Sequence, residues 1–293
     1  MTTETLRTTV AARRTGVVTW ARVRPLVIHV VLAASALVML YPVIWMVVSS
    51  LRPGNEIFRD PGILVKDLRI DNYRVGWNAL TEPFTRYLLN SAVVVLGSIF
   101  GNLVSCSMAA YAFARIRFPG NNALFAVFLA TMMVPMQLTI IPLYLILGWL
   151  QWIDTHLAII VPASLFNAFG VFLMRQYVRG IPVELEEAAA IDGAGRLRTF
   201  TTIILPLLKT PMTALGIFVF LGQWNNFFQP LIFLNTEDLF TIPLVVNYFK
   251  GAYSSDWTSL MAATTMAALP MLIVFIVAQK QIVEGIALSG SKT

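Results

Sequence analysis

Thiol chemistry is nearly missing from this chain, which carries one cysteine, Cys106, in 293 residues. A single thiol excludes a disulfide or a thiolate metal site built within the chain. Histidine is almost as scarce, with only His29 and His156. Each falls near the end of an apolar stretch, where a lone histidine is more often structural than a ligand. Charge is the third scarcity: Asp, Glu, Lys and Arg make up 12% of the residues against 57% hydrophobic ones, with a mean hydropathy of +0.74. Too few polar side chains remain to coat a water-soluble globule, so the expected solvent is a bilayer.

No Asp, Glu, Lys or Arg occurs within 25–51, 87–114, 118–153, 155–174, 210–236 or 257–279. A hydrocarbon core about 30 Å thick needs roughly 20 residues of helix, so each run is long enough to cross. The run 118–153 is too short for two crossings and a turn, which would take more than about 40 residues. One helix over 123–148 and an interfacial segment is expected there instead. The chain is thus predicted to be all-α and polytopic, with an N-terminal arm 1–26, a membrane domain 27–281 and a tail 282–293. Its six spans lie near 27–49, 88–113, 123–148, 157–177, 211–234 and 259–279.

With the N-terminus inside, the cytoplasmic segments hold 14 of the 21 Lys and Arg residues, among them Arg7, Arg13, Arg14, Arg115, Arg117, Arg175 and Arg196. Lys and Arg mark cytoplasmic loops, so both termini are predicted to be cytoplasmic. The net charge of +6 is explained by that topology and calls for no nucleic acid. The arm "TTVAARRTGVVTWARVR" precedes an apolar run too long for a signal peptide and without a clean cleavage site, so an uncleaved first span is expected.

The longest cytoplasmic connection runs from Arg175 to Lys209 and contains "EEAAAIDGAGRLRTFTTIILP", residues 186–206. Pro182 suits a first helical turn, and Glu184, Glu186 and Glu187 place negative charge at a helix N-terminus. Ala188, Ala189 and Ala190 propagate the helix, and Gly193 and Gly195 end it. A short surface helix over 183–193 is predicted, with methyl-sized side chains that let another backbone approach. It is too short to be stable alone and should be held by docking. A solvated helix lying on lipid headgroups is the alternative reading of the same residues.

The spacing adds a resemblance. Glu187-Ala188-Ala189, three residues, Gly193, nine residues, Ile203, one residue and Leu205-Pro206 is similar to the "EAA" signature of ATP-binding-cassette importer permeases at every fixed position. The rest of the chain resembles the carbohydrate-uptake permeases of the maltose-system G-subunit type. The segments "YLLNSAVV" (87–94), "MMVPMQLTIIPLYLIL" (132–147), "WNNFFQPLIF" (224–233) and "MAATTMAALPMLIVFIVAQKQIVEGI" (261–286) carry that likeness. The resemblance implies a helix docking into a separate ATPase dimer that binds ATP and magnesium, a homologous second permease and an extracytoplasmic solute-binding protein. Glu187 would pair with a basic residue of the ATPase, Asp192 lies beside the turn, and Gly193 permits the exit. This chain itself is expected to hold no cofactor. Its tail "GIALSGSKT" imitates a phosphate loop, but Ser291 breaks the required adjacency and no helix follows.

The neutral polar residues at depth cluster in the fifth run as "GQWNNFFQP": Gln223, Asn225, Asn226 and Gln229, with Trp224, Phe227 and Phe228 between them. Amides offer donors and acceptors to hydroxyls, and indoles stack on the apolar faces of sugars. On one continuous helix Gly222, Asn225 and Gln229 share a face and Asn226 points away, which makes the first three the stronger lining candidates. Gln137 beside Pro135 is a second cluster. The competing reading is that these amides bond neighbouring helices. In the resembling family an acid usually stands at the position of Asn226 and often a Trp at that of Gln229, which bears on cargo.

The loops 51–86 and 235–257 either contact the binding protein, the second with a re-entrant segment, or are inert connections. The expected function is a permease subunit for a sugar or sugar-like solute in a prokaryotic cell membrane. The alternatives are an importer permease for another solute, an ion-coupled carrier, which would normally show two similar halves, and a scaffold without transport.

Overall fold

The computed structural model describes residues 20–59, 62–165, 167–252 and 256–290. The arm's Arg7, Arg13 and Arg14, and Lys292 and Thr293 of the tail, lie outside the described residues. The rest is all-α, with no strand among the described residues. Helix α1 spans Trp20–Ser50 and keeps Pro25 and Pro42 inside it; α2 is Asp71–Trp77; α3 is Phe84–Arg115.

The expected single helix over 123–148 is corrected to a broken pair. Helix α4, Asn121–Ala130, passes through a tight turn at Thr131–Met133, and α5, Met136–Trp149, leaves at a bend of 104°. The break falls at Val134, which is extended (φ −83°, ψ 116°). The ring of Pro135 disfavours a helical residue before it.

Helices α6, Leu157–Leu165, and α7, Ala168–Gly180, form the fourth stretch, and Asn167 caps α7 by accepting from the Gly170 amide at 2.8 Å. The connection between α7 and α11 folds as α8, Glu184–Ile191, α9, Arg196–Thr199, a wider π-type turn over Phe200–Ile204, and α10, Leu205–Leu207. The fifth stretch is also divided: α11, Lys209–Trp224, stops well short of residue 234, and α12, Phe228–Phe233, resumes after a break. Helix α13, Ile242–Ala252, and α14, Trp257–Gly290, complete the chain. Helix α14 runs on through residue 290, where the sequence reading places a tail.

Among the described residues, four stretches, Arg24–Ser50, Phe84–Arg115, Leu157–Gly180 and Trp257–Gln281, are long and apolar enough to cross a membrane. Two bent pairs, Asn121–Met133 with Met136–Trp149 and Arg196–Leu207 with Lys209–Trp224, bring the number to 6. Helix α3 is the axis of the fold and packs on α6, α7 and α11. Between helices in lipid there is little hydrophobic driving force, so close packing and hydrogen bonds carry the association. The close packing is visible at Gly101, where an added Cβ would lie 2.1 Å from Ser164 Oγ, and at Gly97, where it would lie 3.0 Å from Ile160 Cδ1. These glycines stand four apart on the face of α3 that meets α6.

Polar side chains of α3 also satisfy the backbone where α6 ends. Asn102 Nδ2 donates to Ala163 O at 2.9 Å, Ser105 Oγ donates to Ser164 O, and Asn167 Nδ2 donates to Asn102 Oδ1 at 2.7 Å. Cys106 is buried against this face. His29 Nδ1 lies 2.6 Å from Pro25 O and His156 Nε2 lies 2.9 Å from Leu239 O, each against a backbone carbonyl.

Candidate functional site

The segment between α7 and α11 is built from local backbone rules. Helix α7 ends at Gly180, Ile181 is extended ahead of Pro182, and α8 begins at Glu184 with Val183 in the cap position. Pro182 therefore stands before the helix, not in its first turn. No side chain caps α8, and the three carboxylates of its first turn face the positive end of the helix dipole instead. At the other end Gly193 adopts φ +78°, Gly193 N donates to Ala190 O at 3.1 Å and Ala194 N donates to Ala189 O at 2.9 Å. That pair of bonds is a Schellman exit, which needs a left-handed residue after the helix cap. Gly193 alone makes the turn; Gly195 has φ −72° and caps α9.

The helix has two faces. Glu184, Glu187, Ala188 and Ile191, spaced to share one side, are all exposed, and Ile191 is 87% exposed. Asp192 is exposed beyond them, while Ala189 is buried. Glu186 also points inward: Tyr111 Oη donates to its Oε2 at 3.1 Å, and Arg115 Nε donates to its Oε1 at 2.5 Å. A second Arg115 nitrogen donates to the Ile181 carbonyl. In the sequence Glu186 reads only as one of three first-turn acids and Arg115 only as the charge that ends the run 87–114, and nothing there pairs them or singles out Tyr111.

Beyond the exit, Ile203 and Leu205 are half-buried and Pro206 is exposed. Ile204 and Leu208, which the signature does not fix, are completely buried with Tyr111, Val178 and Phe200. Pro206 borders an apolar groove of 500 Å³ with Leu103, Lys209 and Met212.

The polar cluster of the fifth stretch is arranged differently from the expectation. Helix α11 stops at Trp224 and Asn225 is its cap, so Gly222, Asn225 and Gln229 do not share a continuous helical face. Asn226, expected to point away from Gln229, donates to Gln229 Oε1 at 2.6 Å and to Gln223 Oε1 at 3.2 Å. Gln229 N donates to Asn226 Oδ1 at 3.3 Å, and Gln229 is buried. Within this cluster the Asn226 amide oxygen takes up one backbone donor at the start of α12, the Gln229 N–H, and the other two bonds join side chains. Asn225 is exposed and donates to Leu221 O at 2.8 Å and towards Met271 Sδ at 3.6 Å. Trp224 is buried, stacks on Phe220 at 5.5 Å and donates from Nε1 to Ala267 O at 3.2 Å, so its indole serves the core. Gly222 is exposed with open space around it, and Gln137 is exposed on α5.

An outward helix with an acid and small side chains, set on a bundle of broken spans, invites comparison with known transporters. Residues 84–287 match the family described as the binding-protein-dependent transport system inner membrane component. This chain belongs to that family. The permease is 32% identical over 260 residues to the arabinooligosaccharides transport system permease protein of Halalkalibacterium halodurans, covering 88% of this chain and 92% of that one. It is 32% identical over 264 residues to the lactose transport system permease protein of Rhizobium radiobacter, covering 90% and 95%. The sn-glycerol-3-phosphate transport system permease protein of Pectobacterium atrosepticum is 31% identical over 265 residues, with 88% and 94% covered. A crystal structure of a bacterial ABC transporter involved in alginate import superposes on this permease with a TM-score of 0.78 at 24% identity, covering 88% and 96%. That likeness shows the fold.

Proposed function

We propose that this permease forms, with a homologous second permease, the path of an ATP-driven importer for a sugar or sugar-like solute. Helix α8 is its handle. The separate ATPase dimer binds ATP with magnesium, takes up the face of Glu187, Ala188 and Ile191, and moves it when the dimer closes. The observation that carries this reading is the exposure of that face, held out by the Gly193 turn while Ala189 and Glu186 face the bundle. A helix this short that still presents a large bare aliphatic side chain fits a socket better than water.

The same reading sets α8 and both termini in the cytoplasm, from the Lys and Arg distribution. The loops 51–86 and 235–257 then face the extracytoplasmic binding protein. Gly222 and Asn225, exposed at the end of α11, remain the lining candidates, with exposed Gln137 of α5 as the third. A neutral cargo is favoured by the lack of charged side chains within the six runs. The relatives named for arabinooligosaccharides and lactose point to the same class of solute.

Thermal-shift screening of the cognate binding protein against oligosaccharides, lactose and glycerol 3-phosphate tests the cargo. A shift with the saccharides supports the proposal, and a shift with glycerol 3-phosphate alone overturns the sugar assignment.

A further inference from the structure

The face of α8 that turns away from solvent carries its own polar contact, 71 residues distant in sequence. Glu186 has both carboxylate oxygens engaged, one by Arg115 Nε and one by Tyr111 Oη, and the same arginine holds the Ile181 carbonyl just ahead of the helix. The side chains of Arg115 and Glu186 are 16% and 14% exposed. A charge pair so shielded loses much of its solvation, and its loss on one side leaves an uncompensated charge. Tyr111 in turn packs its ring on Phe200 at 5.3 Å, within the cluster that includes Ile204 and Leu208. Both ends of the 182–208 segment are thereby tied to the last turns of α3. Helix α3 is also the axis on which α6, α7 and α11 pack.

We propose that Glu186 is a positioning residue that transmits displacement of α8 directly to α3 through Arg115 and Tyr111. It does not contact the ATPase. The three first-turn acids then have divided roles: Glu184 and Glu187 face the partner, and Glu186 faces the bundle. Motion of α8 reaches the central helix through a charge-assisted contact and does not depend on the longer covalent path through α9 and the π-type turn. This inference rests on the reading of α8 as an ATPase-docking helix.

The test uses the complete importer in proteoliposomes, comparing wild type with Glu186→Gln, Arg115→Gln, the double variant and Tyr111→Phe. Two quantities are read: retention of the ATPase subunit after gel filtration, and the ratio of solute-stimulated to unstimulated ATP hydrolysis. Retention is expected in every variant. The ratio should fall at least about tenfold in Glu186→Gln and in Arg115→Gln, as expected for loss of one partner of a shielded pair. The double variant should lose no more than the worse single one, because the two side chains act as one contact. Tyr111→Phe keeps the ring on Phe200 and should fold even where the charge variants do not; its ratio should fall about threefold. An unchanged ratio in Tyr111→Phe, or in either charge variant that folds, overturns the relay, as do losses that multiply in the double variant. Absence of any ATPase subunit from the wild-type complex would instead overturn the docking reading itself.

Discussion

Thr236 closes on Asp154 twice: its backbone N–H donates to Oδ1 at 2.9 Å and its hydroxyl donates to Oδ2 at 2.5 Å. Asn235 N adds a third bond to Oδ1 at 2.8 Å, and Asp154 N donates back to Phe233 O at 2.8 Å. Asp154 sits at φ +60°, a left-handed conformation that Asp, Asn and Gly tolerate best. The turn after α5 is thus fastened to the chain leaving α12. Replacing Asp154 by Ala removes three acceptor contacts and adds backbone strain, for an expected loss of about 2 kcal/mol in detergent unfolding. Asp154→Asn keeps the backbone preference and should lose less.

The same contact predicts a pH dependence. Burial pushes the Asp154 carboxyl up, but the bonds from Thr236 Oγ1, Thr236 N and Asn235 N outweigh it and hold its pKa below the ordinary carboxylate value. The folded pKa lies below the unfolded one, so the stabilisation is complete above the unfolded value, about 4, and is lost as pH falls through the folded value. Melting temperatures measured from pH 6 downward should fall more steeply below about 4 for the wild type than for Asp154→Asn.

Gly193→Val places a β-branched residue at φ +78°. The strain is about 1–2 kcal/mol, borne by the exit of a marginal helix. Insertion into membranes should be normal and solute-stimulated ATP hydrolysis should drop. Normal hydrolysis in this variant would remove the turn from the coupling account.

At the contact of α3 with α6, Gly101→Ala would set its Cβ 2.1 Å from Ser164 Oγ and 2.4 Å from Ser164 Cβ. Rotation about χ1 can move the Oγ, but the Cβ is fixed to the backbone, so backbone must shift, at about 1–3 kcal/mol. The second-site change Ser164→Gly, which removes both atoms, should recover part of the lost yield of folded protein. No recovery would place the cost elsewhere.

The amides of the fifth stretch separate packing from passage. Asn226→Leu leaves the Gln229 amide, buried at 6% exposure, without its 2.6 Å partner and should destabilise the fold by about 1–3 kcal/mol. Gly222→Ala meets open space and should leave stability unchanged. A change in uptake specificity in Gly222→Ala with normal melting would support its place on the path.

Much of this architecture was legible because lipid permits few solutions. Charge-free length is enough to find α1, α3 and α14, and acids, alanines and a glycine in order are enough to find α8 within two residues of its ends. The breaks were harder. Pro25, Pro42, Pro142, Pro162 and Pro270 all sit inside helices, whereas Pro135 follows a break, so proline by itself does not decide. Pro230 in the first turn of α12 was a usable sign that a helix starts there, and the Asn226 side chain before it accepts from the Gln229 N–H. The Glu186 contact was not legible, since its partners lie on α3 and only the fold brings them together.

The most direct test of the central claim is cross-linking at the outward face of α8. Ala188→Cys adds one exposed thiol to a chain whose only other cysteine, Cys106, is 1% exposed. In the assembled importer, a short thiol-to-amine reagent is expected to join this position to the ATPase subunit, with no adduct in the wild type. Free labelling of the same thiol by a water-soluble maleimide from the extracytoplasmic side, with no ATPase adduct, would contradict the account.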